Sequence, residues 1–95
     1  MSETTWVDLP HLAGNLPQLA EQRVQVWNAD GSLLVRGRCI RWEPHFEDGL
    51  AVVQVYPEVT GELADVEREK AAAFRSSGIA PVYIVRPGAT AQVAA

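Results

Sequence analysis

An Asp-Gly pair between two alternating apolar runs constrains this chain more than any other feature. The runs are Arg23 to Ala29 and Ser32 to Arg41, with Asp30-Gly31 between them. Asp-Gly favours a two-residue type I′ turn, because both central positions need φ > 0 and Gly supplies one at no steric cost. That loop sets a register in which Asn28 faces Leu33, Trp27 Leu34, Val26 Val35, Gln25 Arg36, Val24 Gly37 and Arg23 Arg38. Side chains alternate with period two, so one face gathers Val24, Val26, Leu33, Val35 and Cys39. The other face gathers Arg23, Gln25, Trp27, Arg36 and Arg38. That one register sorts apolar from polar side chains argues for a hairpin.

The 95 residues, 47% hydrophobic and 21% charged, describe a single globular domain. The reading gives residues 1–8 as a flexible leader, with Trp6 as its anchor, and 88–95 as a flexible tail. Between Asp8 and Glu21 a polar-Leu-Pro-x-Leu-Ala pattern occurs twice, seven residues apart, which reads as two short helical turns laid against a sheet. After the hairpin, Glu43 to Gly49 reads as a loop, since Pro44 cannot donate to a ladder. Leu50 to Tyr56 is apolar in both alternating sets and predicts a central strand covered on both faces. Thr60 to Ser77 predicts a helix, with Thr60 as N-cap, an inward stripe of Leu63, Val66, Ala73 and Phe74, and Gly78 as the stop. Pro81 to Arg86 predicts a last strand.

The fold expected is therefore α+β: a three-stranded antiparallel meander followed by a helix and a fourth strand, behind a short helical N-terminal arm. A small, partly open SH3-like β-barrel is the competing architecture.

The outer hairpin face is the sharpest candidate for function. Residues 23 to 41 hold four Arg and one Asp inside a chain of net charge -4. Arg beside an exposed aromatic suits phosphates and stacked bases, whereas the acidic whole disfavours a general polyanion binder. The same arginines have a structural use, paired with acids of the helix or of the Glu43 to Asp48 loop. Glu43, His45, Glu47 and Asp48 match neither a Ca²⁺ loop nor a His-x-x-x-His zinc pattern. Cys39 alternates inward as a small buried hydrophobe, and a lone cysteine excludes an intramolecular disulfide. No phosphate loop, nucleophile elbow or spaced carboxylate dyad is present.

These features predict a non-enzymatic module without metal or cofactor, placed in the cytoplasm because no signal peptide or membrane span is evident. It binds a protein partner, or itself as a homodimer, through Arg23, Gln25, Trp27, Arg36 and Arg38 or through a free sheet edge. Nucleic-acid binding by the same five residues is the alternative.

Overall fold

The computed structural model describes residues 3–9, 21–45 and 49–95 of the chain. They form six strands and one helix: β1 (Trp6–Asp8), β2 (Arg23–Trp27), β3 (Leu33–His45), β4 (Leu50–Pro57), α1 (Asp65–Ser77), β5 (Val82–Val85) and β6 (Thr90–Ala94). The strands make one antiparallel sheet in the order β1-β6-β2-β3-β4-β5. The α+β expectation thus holds coarsely, as a mostly β chain with one helix. Two terminal segments depart from it. The expected tail supplies β6, which pairs with both β1 and β2, and the expected leader supplies β1. Thr90 to Ala94 has few of the residues that mark a strand, and the two neighbours that pair with it decide its structure. The two helical turns expected before β2 lie mostly at 10–20, outside the described residues.

The hairpin keeps four of its expected pairs, from Arg23 with Arg38 to Val26 with Val35, and then shifts. Trp27 faces Leu33 instead of Leu34, so the turn is not type I′. Gly31 has φ 89°, whereas Asp30 is not in the positive-φ region. The Gly31 N–H donates to the Asn28 carbonyl at 2.9 Å, and the Asp30 carboxylate accepts from the Ser32 N–H at 2.9 Å. A side chain that can hold the turn this way favours a three-residue loop with one left-handed position. The resulting bulge turns Leu34 into the main core and moves Leu33 to the Trp27 side, where it packs with Leu63 and Ala71.

Strand β3 runs on to His45 through the segment expected as loop, with Pro44 opposite Ala51. Glu58 N–H donates to the Arg36 carbonyl, so the even-numbered residues of β4 turn their main-chain groups to β3. The Pro44–Ala51 pair is therefore one of the non-hydrogen-bonded pairs, and the missing N–H leaves this ladder intact. In β4 one face is buried and the other only half-buried, so the strand is interior in the sheet without being covered on both faces.

Helix α1 begins five residues later than expected. Thr60 instead closes a turn, its carbonyl accepting from the Leu63 N–H at 3.2 Å, and Ala64 stands at the N-cap without a side-chain cap. Gly78 ends the helix as expected, at φ 72°. The predicted inward stripe holds in part: Leu63 is buried just before the helix and Phe74 packs on Tyr56, whereas Val66 is 70% exposed, Ala73 is exposed and the fully buried helix residue is Ala71. Lys70 lies over the Tyr83 ring. Tyr56 and Tyr83 belong to opposite faces of the sheet, so the helix lies across its end.

The sheet is curled. Strands β5 and β6 are four neighbours apart, roughly 19 Å in a flat sheet. Yet a turn joins them, with the Ala89 N–H on the Arg86 carbonyl at 3.2 Å, a geometry that holds its end residues within about 7 Å. Val85 of β5 and Ala91 of β6 accordingly share one core with Val24, Val35, Val53 and Val55.

Candidate functional site

The register places the polar residues of the hairpin in rows that cross the sheet. One row is Asp8, Gln92, Gln25 and Arg36, on β1, β6, β2 and β3. Its side chains form a chain of hydrogen bonds. Gln92 Nε2 donates to Asp8 Oδ1 at 2.9 Å, Gln25 Nε2 donates to Gln92 Oε1, and Arg36 Nε donates to Gln25 Oε1 at 3.0 Å. Arg36 ends the row with a fork on the Glu62 carboxylate, at 2.7 and 3.2 Å. Trp27 Nε1 also donates to Gln92 Oε1, at 3.2 Å, and its ring packs against the Leu33 cluster. Gln25 is only 6% exposed, so this amide depends on its partners for every hydrogen bond it makes.

The adjoining row begins at Trp6 and includes Arg23, Arg38 and Tyr56. Arg23 forks onto Glu58 at 2.7 and 2.8 Å, donates to Thr4 Oγ1 at 2.9 Å and stands over the Trp6 ring. The hydrogen bond from Arg23 holds the Glu58 carboxyl below its ordinary value, and Arg36 does the same for Glu62. Arg38, directly opposite Arg23, has no ion pair among the described residues. Its guanidinium lies 4.7 Å from the centre of the Tyr56 ring, beside an open cleft of about 320 Å³ lined also by Glu21, Cys39 and Ile40.

The structure therefore brings all five predicted residues together and engages four of them internally. Glu58, Glu62 and Gln92, which complete the network, were not among them. The two acids come from the connection between β4 and α1: Glu62 lies in the stretch expected as helix, and Glu58 between the expected strand and that helix. Gln92 comes from the segment read as tail.

Among the described residues no group of three metal-ligating side chains converges, and Glu43 pairs with Arg41 at 3.3 Å. Cys39 is buried, and burial pushes its thiol up to about 11, so it stays protonated. No described helix is long and apolar enough to cross a membrane.

The other candidate, a free sheet edge, is sharper than the sequence allowed. The described sheet ends at β1 on one side and β5 on the other. Strand β1 has three residues and carries Asp8, a charge of the kind that guards an edge. Strand β5 carries none. Val55 N–H donates to the Pro81 carbonyl at 3.4 Å, and ladder groups alternate, so Pro81, Tyr83 and Val85 turn their main-chain groups to β4. Val82 and Ile84 turn theirs to the open rim, and their side chains are 46% and 52% exposed. Comparison of the chain with protein-family models, curated proteins and solved structures found no match.

Proposed function

We propose that this chain is a small, non-enzymatic interaction module of the cytoplasm, built on a curled, partly open barrel. It engages a protein strand along the rim of β5. The observation that supports this most directly is the pair Val82 and Ile84, whose main-chain groups face an edge that is uncharged and, among the described residues, uncovered, and whose apolar side chains are about half exposed. An added strand supplies hydrogen bonds to the rim and covers the two side chains, the chemistry of strand addition. The hairpin face supports binding less well, because Arg23, Gln25, Trp27 and Arg36 already have partners within the chain. Nucleic-acid binding by that face is left with Arg38 as its one described cation free of an ion pair.

The test uses a fluorescein-labelled hexapeptide with β-branched apolar residues at alternate positions and threonine between them. Saturable anisotropy is expected with the wild-type protein and at least tenfold weaker binding with Ile84→Pro. The Ile84 N–H points away from β4, so proline there removes a rim donor and leaves the β4–β5 bonds in place. Val82→Arg, which keeps its N–H and adds a charge, is expected to weaken binding as well. Equal binding by all three proteins, or none by the wild type, refutes the reading.

A further inference from the structure

Resting on that reading, we infer that the strand added to the β5 rim is β5 of a second copy, antiparallel about a two-fold axis through Tyr83. The argument is one of parity. In an antiparallel pair, residues directly opposite each other project to the same face, so a strand that pairs with itself must pair residues of equal parity. A two-fold axis between two residues would set an inward side chain against an outward one and is excluded. An axis through Tyr83 sets Val82 opposite Ile84 of the second copy, and Ile84 opposite its Val82.

This register also uses the rim fully. Val82 and Ile84 are the two residues of β5 that direct N–H and C=O outward. With the axis at Tyr83 both form hydrogen-bonded pairs, which makes four bonds and leaves no rim group of the strand unmatched. An axis through Ile84 pairs that residue with itself and sets Val82 against Arg86, beyond the strand, whose carbonyl is already held by the Ala89 N–H. Side-chain chemistry points the same way, since the exposed Val82 and Ile84 cover each other and neither brings a charge to its own image. The closed two-fold arrangement then leaves no β5 rim open to add further copies.

The contact is short, so a weak dimer is expected, with a dissociation constant on the order of 100 µM. Sedimentation equilibrium over a concentration series is expected to show the wild type rising toward twice the monomer mass and Ile84→Pro staying monomeric. Register is read by cross-linking. Directly opposite residues have Cα atoms about 5.5 Å apart, within disulfide range, while diagonal ones are about 7–8 Å apart. An oxidised mixture of Val82→Cys and Ile84→Cys proteins should therefore give mainly the mixed dimer, and either protein alone much less. Three results overturn the inference: a dimer that survives Ile84→Pro, cross-linking as strong in one variant alone as in the mixture, and a wild type monomeric throughout. If that monomer still binds the hexapeptide, only the second copy is refuted and strand addition stands; if it binds neither, both fall.

Discussion

The outer face of the β2–β3 hairpin and the rim of β5 make opposite use of their chemistry. The hairpin face is rich in groups that recognise ligands, yet the sheet crosses it with Asp8 and Gln92 on one side and the β4–α1 connection supplies Glu58 and Glu62 on the other. Each cation but Arg38 ends on a carboxylate of the chain itself. The rim has only main-chain groups and two aliphatic side chains, and nothing among the described residues covers them. Long polar side chains can reach partners in their own fold, so their presence says little about what they bind. A strand edge can be completed only by another strand, which makes the plainer region the stronger candidate.

Breaking the hairpin side of this comparison should have the largest effect at Gly37, between Arg36 and Arg38. A Cβ there would overlap the Tyr56 carbonyl oxygen and lie 3.0 Å from Pro57 Cα, and both are backbone atoms of a paired strand. Gly37→Ala should therefore cost about 3 kcal/mol or more, read from the urea midpoint. Val82→Thr on the exposed rim should change stability by less than about 0.5 kcal/mol. Similar losses at the two positions would erase the distinction between a scaffold and a free edge.

A smaller effect is expected within the polar row. Gln25→Leu removes the acceptor of Arg36 Nε and the donor to Gln92, and strands those groups in a poorly hydrated place. A loss of about 2 kcal/mol is expected. A double-mutant cycle of Gln25→Leu with Arg36→Met should show coupling well above additivity, since each removes a group the other leaves unpaired. Additive losses would mean that the row is a set of independent contacts.

The hairpin, the helix stop at Gly78 and the β5 strand were legible because turn chemistry and period-two patterning are local. The bulge at Leu34 was not, because it depends on the Asp30 carboxylate holding a turn that Gly31 alone would permit in another form. The helix stripe was right at Leu63 and Phe74 and misjudged at Val66 and Ala73, because a helix laid across a sheet end packs through Ala71 and sets the Lys70 ammonium over the Tyr83 ring, which apolar spacing does not reveal. Strand β6 was missed altogether: Thr90 to Ala94 becomes a strand by filling a place between β1 and β2. With it went Gln92, the residue that links the predicted face to the rest of the sheet. Register found the five hairpin residues, and pairing of the arginines with acids of the helix was expected as the alternative use; Glu58, Glu62 and Gln92 are distant in sequence, so which partners the face takes was beyond the reach of local pattern.

The finest distinction between the two regions is in acid. The hydrogen bond from Arg23 lowers the Glu58 carboxyl from its ordinary 4.5 in the folded protein. A group of this kind contributes its stability fully above the unfolded value and loses it as pH falls through the folded one. Wild-type stability should therefore drop as pH is lowered from about 4.5. Glu58→Gln should flatten that drop without removing it, since Arg36 holds Glu62 down in the same direction. Both side chains of the Arg23–Glu58 pair are about two-fifths exposed, and solvent screening keeps its share to about 0.5 kcal/mol or less. Chemical denaturation at pH 7 and at successive steps below pH 4.5 measures it. The rim carries no group that titrates there: the one ionisable side chain of β5 is Tyr83, which burial and the Glu67 carboxylate push up to about 12. Association through β5 at a pH where the protein stays folded should therefore be the same in wild type and Glu58→Gln. If the substitution shifted association as much as stability, the two regions would be coupled, and the hairpin face could no longer be treated as scaffold alone.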